Sequence, residues 1–247
     1  GCGKTTLCSL IARFWDVGSG SVRIGGTDIR EYTLESLMDQ ISMVFQNVYL
    51  FADTIENNIK FGKPDASHEQ VVAAAKKTCC HDFISALPDG YDTVIGEGGA
   101  TLSGGEKQQI ACGSVYASMP QVVVLDEPSS NLDLEGIRKL RGLLETMKAS
   151  GVTILVSEHR LWYLHGLADR YLLLENGKLR GDFEPERMTA LDPQTRQALG
   201  LRAVDREQLF SLCPQARPAE RMDPGLELRS LCCLRGRREV LRISDLP

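Results

Sequence analysis

Val122-Val123-Val124-Leu125-Asp126-Glu127 decides the fold. Four consecutive apolar residues, three of them β-branched, read as a short strand buried on both faces, the form that strands take inside a parallel sheet. Two carboxylates at its end stand where open α/β sheets bind ligands, beyond the carboxyl ends of their strands. The bland alternative is a strand that ends in solvated acids.

Working outward, helical and strand patterns alternate, which predicts an α/β protein with a largely parallel sheet. Helical spacing is read over residues 5–14, 54–60, 69–77, 81–87, 106–117 and 135–148. Short strands are expected at 41–45 and 122–125, with further buried strands at 152–156 and 171–174. Gly25-Gly26 and Asn176-Gly177 read as hairpin turns, because both pairs accept the positive φ angles such turns need. Beyond Asp182 the composition shifts to prolines and arginines. Residues 183–224 read as a linker with short helical patterns at 193–199 and 206–212, and 225–247 as the first strands of a further unit.

Composition bounds the function. The 247 residues are 43% hydrophobic and 25% charged, which supports a packed core and excludes disorder and a disulfide-stapled mini-fold. No apolar run reaches the ~18–20 residues a membrane span needs. A net charge of −5 gives no support to nucleic-acid binding. The eight cysteines include two adjacent pairs, Cys79-Cys80 and Cys232-Cys233, and no C-x-x-C step, so they read as reduced thiols rather than zinc ligands. The chain starts at Gly1, inside a motif, and is expected to be truncated at the N-terminus.

That motif is Gly1-Cys2-Gly3-Lys4-Thr5-Thr6, the latter half of the phosphate-binding pattern G-x-x-x-x-G-K-[ST]. Glycines let backbone N–H groups converge on phosphate oxygens at the positive end of the following helix. In this reading Lys4 reaches the β- and γ-phosphates, and the Thr5 hydroxyl binds Mg²⁺. Asp126 joins the Mg²⁺ shell, and Glu127 is the general base that polarises the attacking water. Leu102-Ser103-Gly104-Gly105-Glu106-Lys107-Gln108-Gln109 opens another helix with a serine cap, a second candidate anion site.

At this point residues 1–182 resemble the nucleotide-binding domain of ABC transporters, whose signature is LSGGQ-like. Gln46 matches the Q-loop, Ser129-Ser130-Asn131-Leu132-Asp133 the D-loop, and His159 the switch histidine. The resemblance implies a P-loop NTPase fold of the ABC ATPase type, a mostly parallel sheet with a helical subdomain at about 47–118. It implies ATP and Mg²⁺ as ligands, and two cassettes dimerised head to tail. Gly1, Cys2, Gly3, Lys4, Thr5, Thr6 and Gln46 would bind nucleotide, with Thr5, Gln46 and Asp126 at the metal. Glu127 and His159 would be catalytic, and Asp133 would act in the D-loop. Ser103, Gly104 and Gly105 would close the partner's site. The implied function is hydrolysis of ATP to power transport through a transmembrane partner, at the cytoplasmic face of the membrane. A soluble ABC ATPase acting on ribosomes or DNA is the alternative, but the coiled-coil or basic insertions usual there are not visible.

The resemblance divides along the chain. Residues 1–105, with Arg13-Phe14-Trp15-Asp16 and Leu87-Pro88-Asp89-Gly90-Tyr91-Asp92-Thr93, look like exporter cassettes. From 106 onward the exporter arginines are missing, Gln109 among the replacements. Val156-Ser157-Glu158-His159-Arg160-Leu161 looks instead like tandem ATPases of energy-coupling-factor importers. A join of two related genes near residues 102–108 is the expectation. The strand that feeds the phosphate loop and the adenine-stacking aromatic lie outside the chain, so weak or no ATP binding is expected of residues 1–247 alone.

Overall fold

The structure, a computed structural model, describes residues 3–202 in full and the backbone of strands at 228–235 and 238–246. It divides into two units, Gly1–Arg206 and Glu207–Pro247.

The first unit opens with α1 (Lys4–Ile11), then a hairpin of β1 (Arg23–Ile24) and β2 (Thr27–Asp28) turning at Gly25-Gly26, with φ of 58° and 86°. Next come α2 (Leu34–Met38), β3 (Ile41–Val44), α3 (Ile55–Lys60), α4 (His68–Lys77) and α5 (His81–Ser85). They are followed by α6 (Gly104–Ser118), β4 (Val122–Asp126), α7 (Leu134–Ala149) and β5 (Thr153–Ser157). Helix starts follow local chemistry: Thr33, Thr54, Ser67, Ser103 and Asp133 each accept a backbone N–H of the first turn.

Strands β3, β4 and β5 form a parallel sheet in that spatial order, with Val44 opposite Leu125 and Leu125 opposite Val156. Side chains of β4 alternate between two cores. Val123 and Leu125 pack with Ile137, Leu140, Leu144 and Met147 of α7, whereas Val124 packs with Cys8 of α1 and Leu37 of α2. A third core, built on Ile55, Ile59, Val71, Ile84 and Ile110, binds α3, α4, α5 and α6 together.

Two strand expectations are corrected. Residues 153–156 are only exposed to half-buried, because β5 is the edge of the sheet among the described residues and its outer side carries no strand there. Residues 171–174 do not enter the parallel sheet. They lie in β6 (Tyr171–Glu175), which pairs antiparallel with β7 (Lys178–Phe183) through Asn176-Gly177, at φ of 50° and 74°.

After this hairpin the chain continues in α8 (Pro185–Thr189) and α9 (Pro193–Ala198). Met188, Leu191 and Leu201 pack with Tyr171 and Phe183, so residues 183–202 are folded onto the first unit, where a linker was expected. The helical pattern at 206–212 and the linker to 224 lie outside the described residues. In the second unit, β8 (Leu228–Arg235) pairs antiparallel with β9 (Arg238–Leu246).

Candidate functional site

A parallel sheet delivers the carboxyl ends of its strands to one edge, and four motif residues meet there. Gln46 follows β3 by two residues, Glu127 follows β4 directly, His159 follows β5 by two, and Lys4 opens α1. Gln46 Nε2 donates to Glu127 Oε2 at 2.8 Å. His159 Nε2 stands 3.3 Å from Glu127 Oε1 and 3.0 Å from Lys4 Nζ. One ring nitrogen cannot serve both neighbours at once: unprotonated it accepts from Lys4, protonated it donates to Glu127. The histidine therefore sits between the lysine of one motif and the carboxylate of another.

Backbone geometry aims Glu127. Its φ of 48° is left-handed, a conformation that costs a non-glycine residue about 1–3 kcal/mol. The bond from Glu127 N to Ser157 O, at 2.8 Å, holds it there. The turn separates the two acids of the strand end. Glu127 reaches the Gln46–His159 pair, while Asp126 stays in the sheet opposite Ser157 and is only 2% exposed.

Asp126 Oδ1 and Ser157 Oγ are both buried without a hydrogen-bond partner. An unpaired buried carboxylate oxygen is costly and calls for a cation or its bound water. The Cys8 thiol on α1 registers the same charge: burial first, then Asp126, pushes it up to about 11. Among the described residues no group of three or more His, Cys, Asp or Glu forms a metal cage. Magnesium needs no such cage, since it binds through one or two protein oxygens, substrate phosphates and water. The residues present fit the ion.

Gly3 precedes α1 at φ +94°, and a Cβ there would stand 3.3 Å from Gly177 Cα, so glycine suits the position twice over. Thr5 and Thr6 are exposed in the first turn of α1. Gly1 and Cys2 lie outside the described residues. Ser103 caps α6, and Gly104 and Gly105 open its first turn. Ser103 Oγ accepts from Glu106 N at 3.3 Å, and Glu106 Oε2 accepts from Ser103 N at 2.7 Å, a closed capping box. The neighbours of the two glycines are Asn131 and Leu132. Asp133 is spent on its own helix, where Oδ1 accepts from Gly136 N at 2.7 Å.

Sequence reading missed Glu158. Its carboxylate accepts from Ser129 Oγ at 2.9 Å, from the backbone N–H of His159 and of Arg160 at 3.0 Å each, and from Tyr163 Oη at 3.2 Å. Burial, and then this carboxylate, hold the Tyr163 phenol far above its usual range. The available signal was an acid directly beside His159.

Fold and site together define a P-loop NTPase. The sequence profile described as ABC transporter matches residues 1–130. The chain belongs to the ABC transporter family. It is 43% identical over 179 residues to YgaD of Bacillus subtilis (strain 168), named as a multidrug export ATP-binding/permease protein, a match covering 72% of this chain and 30% of that protein. A Staphylococcus aureus (strain NCTC 8325 / PS 47) protein of the same description is 41% identical over 179 residues, 72% of this chain and 31% of its own length. Among solved structures, a bacterial Atm1-family ABC exporter with ATP bound superposes with a TM-score of 0.74 at 33% identity, covering 87% of this chain and 36% of that one. The chain thus spans about a third of the length of these relatives.

Proposed function

We propose that the chain is the ATP-binding and ATP-hydrolysing part of an ABC transporter, acting at the cytoplasmic face of a membrane with transmembrane segments and a second cassette. The observation that carries this is the meeting of Lys4, Gln46, Glu127 and His159 at one sheet edge, from four separate segments. The names of the relatives join ATP-binding to permease, which supports a membrane partner. The match to export proteins is longer than the 105 residues that look exporter-like, which supports export as the direction across both halves.

Each side chain has a task that its position permits. Gly3 and the first turn of α1, with Lys4, Thr5 and Thr6, present backbone N–H groups and the Lys4 ammonium to the phosphates, and the motif adds the backbone N–H groups of Gly1 and Cys2. Glu127 accepts a proton from the attacking water, and Gln46 orients its carboxylate. Released from Lys4, His159 Nε2 donates to the γ-phosphate. Thr5, Gln46 and Asp126 would hold magnesium, which would supply neutralisation of phosphate charge. Ser103, Gly104 and Gly105 close the equivalent site of a second cassette, and the Asp133 loop lines that interface.

The test is Mg²⁺-dependent ATP hydrolysis by the purified product of the complete reading frame. Glu127→Gln keeps the size of the side chain and one acceptor oxygen for Gln46, and removes its basicity. Turnover then falls about 10²–10⁴-fold while ATP still binds. Unchanged turnover in that variant would refute the assignment of the base.

A further inference from the structure

Glu158 is the most heavily engaged carboxylate next to the site, and none of the motif roles uses it. It stands between two loops. On one side it holds the backbone N–H groups of His159 and Arg160 at 3.0 Å. On the other it holds Ser129, a fully buried residue, through Oγ at 2.9 Å and backbone N at 3.4 Å. Arg160 closes the clamp from its own end, donating to Ser129 O at 3.2 Å and Leu132 O at 3.4 Å.

The clamped loop continues to the signature turn. Asn131 Cβ lies 3.2 Å from where a Cβ on Gly104 would stand, and Leu132 Cδ2 lies 3.6 Å from the same point on Gly105. The side chains of Asn131 and Leu132 thus pack against the glycine turn, leaving room for no larger residue at Gly104 without a shift. The connection therefore runs from His159 through Glu158 and Ser129 to Gly104 and Gly105.

We propose that Glu158 is a positioning residue that couples the switch histidine at one nucleotide site to the signature turn that closes the other. The inference rests on the ATPase reading above. A shift of His159 toward a bound γ-phosphate pulls the backbone that Glu158 holds. The same carboxylate carries that shift to Ser129 and on to α6. The coupling depends on an acceptor: all the partners of Glu158 are donors, so an amide at this position would set N–H groups against N–H groups.

The test measures ATP hydrolysis against ATP concentration in the product of the complete reading frame, for the unaltered protein, Glu158→Ala, Glu158→Gln, Ser129→Ala and the Glu158→Ala/Ser129→Ala pair. The unaltered protein is expected to be cooperative. In Glu158→Ala and Glu158→Gln the Hill coefficient drops to about 1 and kcat falls roughly tenfold, with half-saturation within about twofold. Ser129→Ala gives part of the loss, and the pair loses no more than Glu158→Ala alone, because the residues act as one unit. A structural role would lower kcat in step with the folded fraction and leave the Hill coefficient alone. That result, or additive losses in the pair, overturns the proposal. Should Glu158→Ala not fold, Ser129→Ala decides by the Hill coefficient. Hydrolysis by the unaltered protein without cooperativity overturns the coupling only. No hydrolysis at all overturns the ATPase reading and the coupling with it.

Discussion

Two helices of this chain start at glycine-rich motifs, α1 after Gly3 and α6 after Ser103, and they solve the same electrostatic problem in opposite ways. Every helix start leaves backbone N–H groups without intrahelical partners and carries a partial positive charge. Helix α6 settles this internally: Ser103 and Glu106 close a capping box, and the Glu106 carboxylate lies in the first turn. Helix α1 does not. Its cap residue is a glycine, no side chain caps it, its first turn holds no acid, and Lys4 adds a positive charge there. An anion at the start of α1 would answer all of these deficits at once.

Burial separates the two helices as well. Helix α6 buries Gln108, Ile110, Cys112, Gly113 and Val115, whereas Cys8 is the buried residue of α1. One helix start is capped within its own turn, and the other is left uncapped. The comparison predicts that changes in α6 act on stability and changes at the start of α1 act on binding.

The largest effect should come from Ile110→Ala, which opens a cavity in the core that joins α3, α4 and α6. The expected loss is about 2–5 kcal/mol, read as a lower midpoint in urea unfolding. Next comes Lys4→Met. Loss of a charge-assisted hydrogen bond of about 1.5–3 kcal/mol predicts nucleotide affinity ~10–100-fold weaker by fluorescent-ATP titration, with the unfolding midpoint held or slightly raised. A fall in stability with unchanged affinity would reverse the roles assigned to the two helices.

The buried thiols sharpen the contrast through pH. Burial pushes Cys112 of α6 up to about 12, and burial with the Asp126 charge pushes Cys8 of α1 up to about 11. Both folded values lie above the value of an unfolded thiol, ~8.5. The unfolded chain therefore loses its protons first as pH rises. Stability is fully present below about pH 8.5 and declines toward pH 11–12, by ~1–2 kcal/mol per thiol at pH 10. Urea midpoints at pH 7.5 and 10 check this, and Cys112→Ala should remove the α6 share of the decline. The smallest effect belongs to Ser103→Ala, which costs about 1 kcal/mol of folding stability as a lost cap. A thermal melt beside an ATP titration would show whether the serine serves more than its helix.

Much of this was legible in the residues because the deciding signals are local. The apolar run of β4, the capping serines and threonines, and the turn pairs Gly25-Gly26 and Asn176-Gly177 work through neighbours a few positions away. Where local signals failed, partners distant in sequence were responsible. Residues 171–174 carry the composition of a buried strand, yet their pairing with β7 takes them out of the parallel sheet. Residues 183–202 read as a linker by their prolines, yet Met188 and Leu201 find an apolar surface on the hairpin.

The candidate site divides along the same line. The sequence named Lys4 and Glu127 through phosphate and carboxylate chemistry at their motif positions, and Gln46 and His159 through the resemblance to ABC cassettes. Only the tertiary structure decided that His159 Nε2 stands between Lys4 and Glu127, that Asp126 is left with an unpaired buried oxygen, and that Glu158 holds two loops together. Motif chemistry is written in residue identity over a few positions. Hydrogen bonds between residues 29 to 155 positions apart exist only once the sheet has brought their strand ends to one edge.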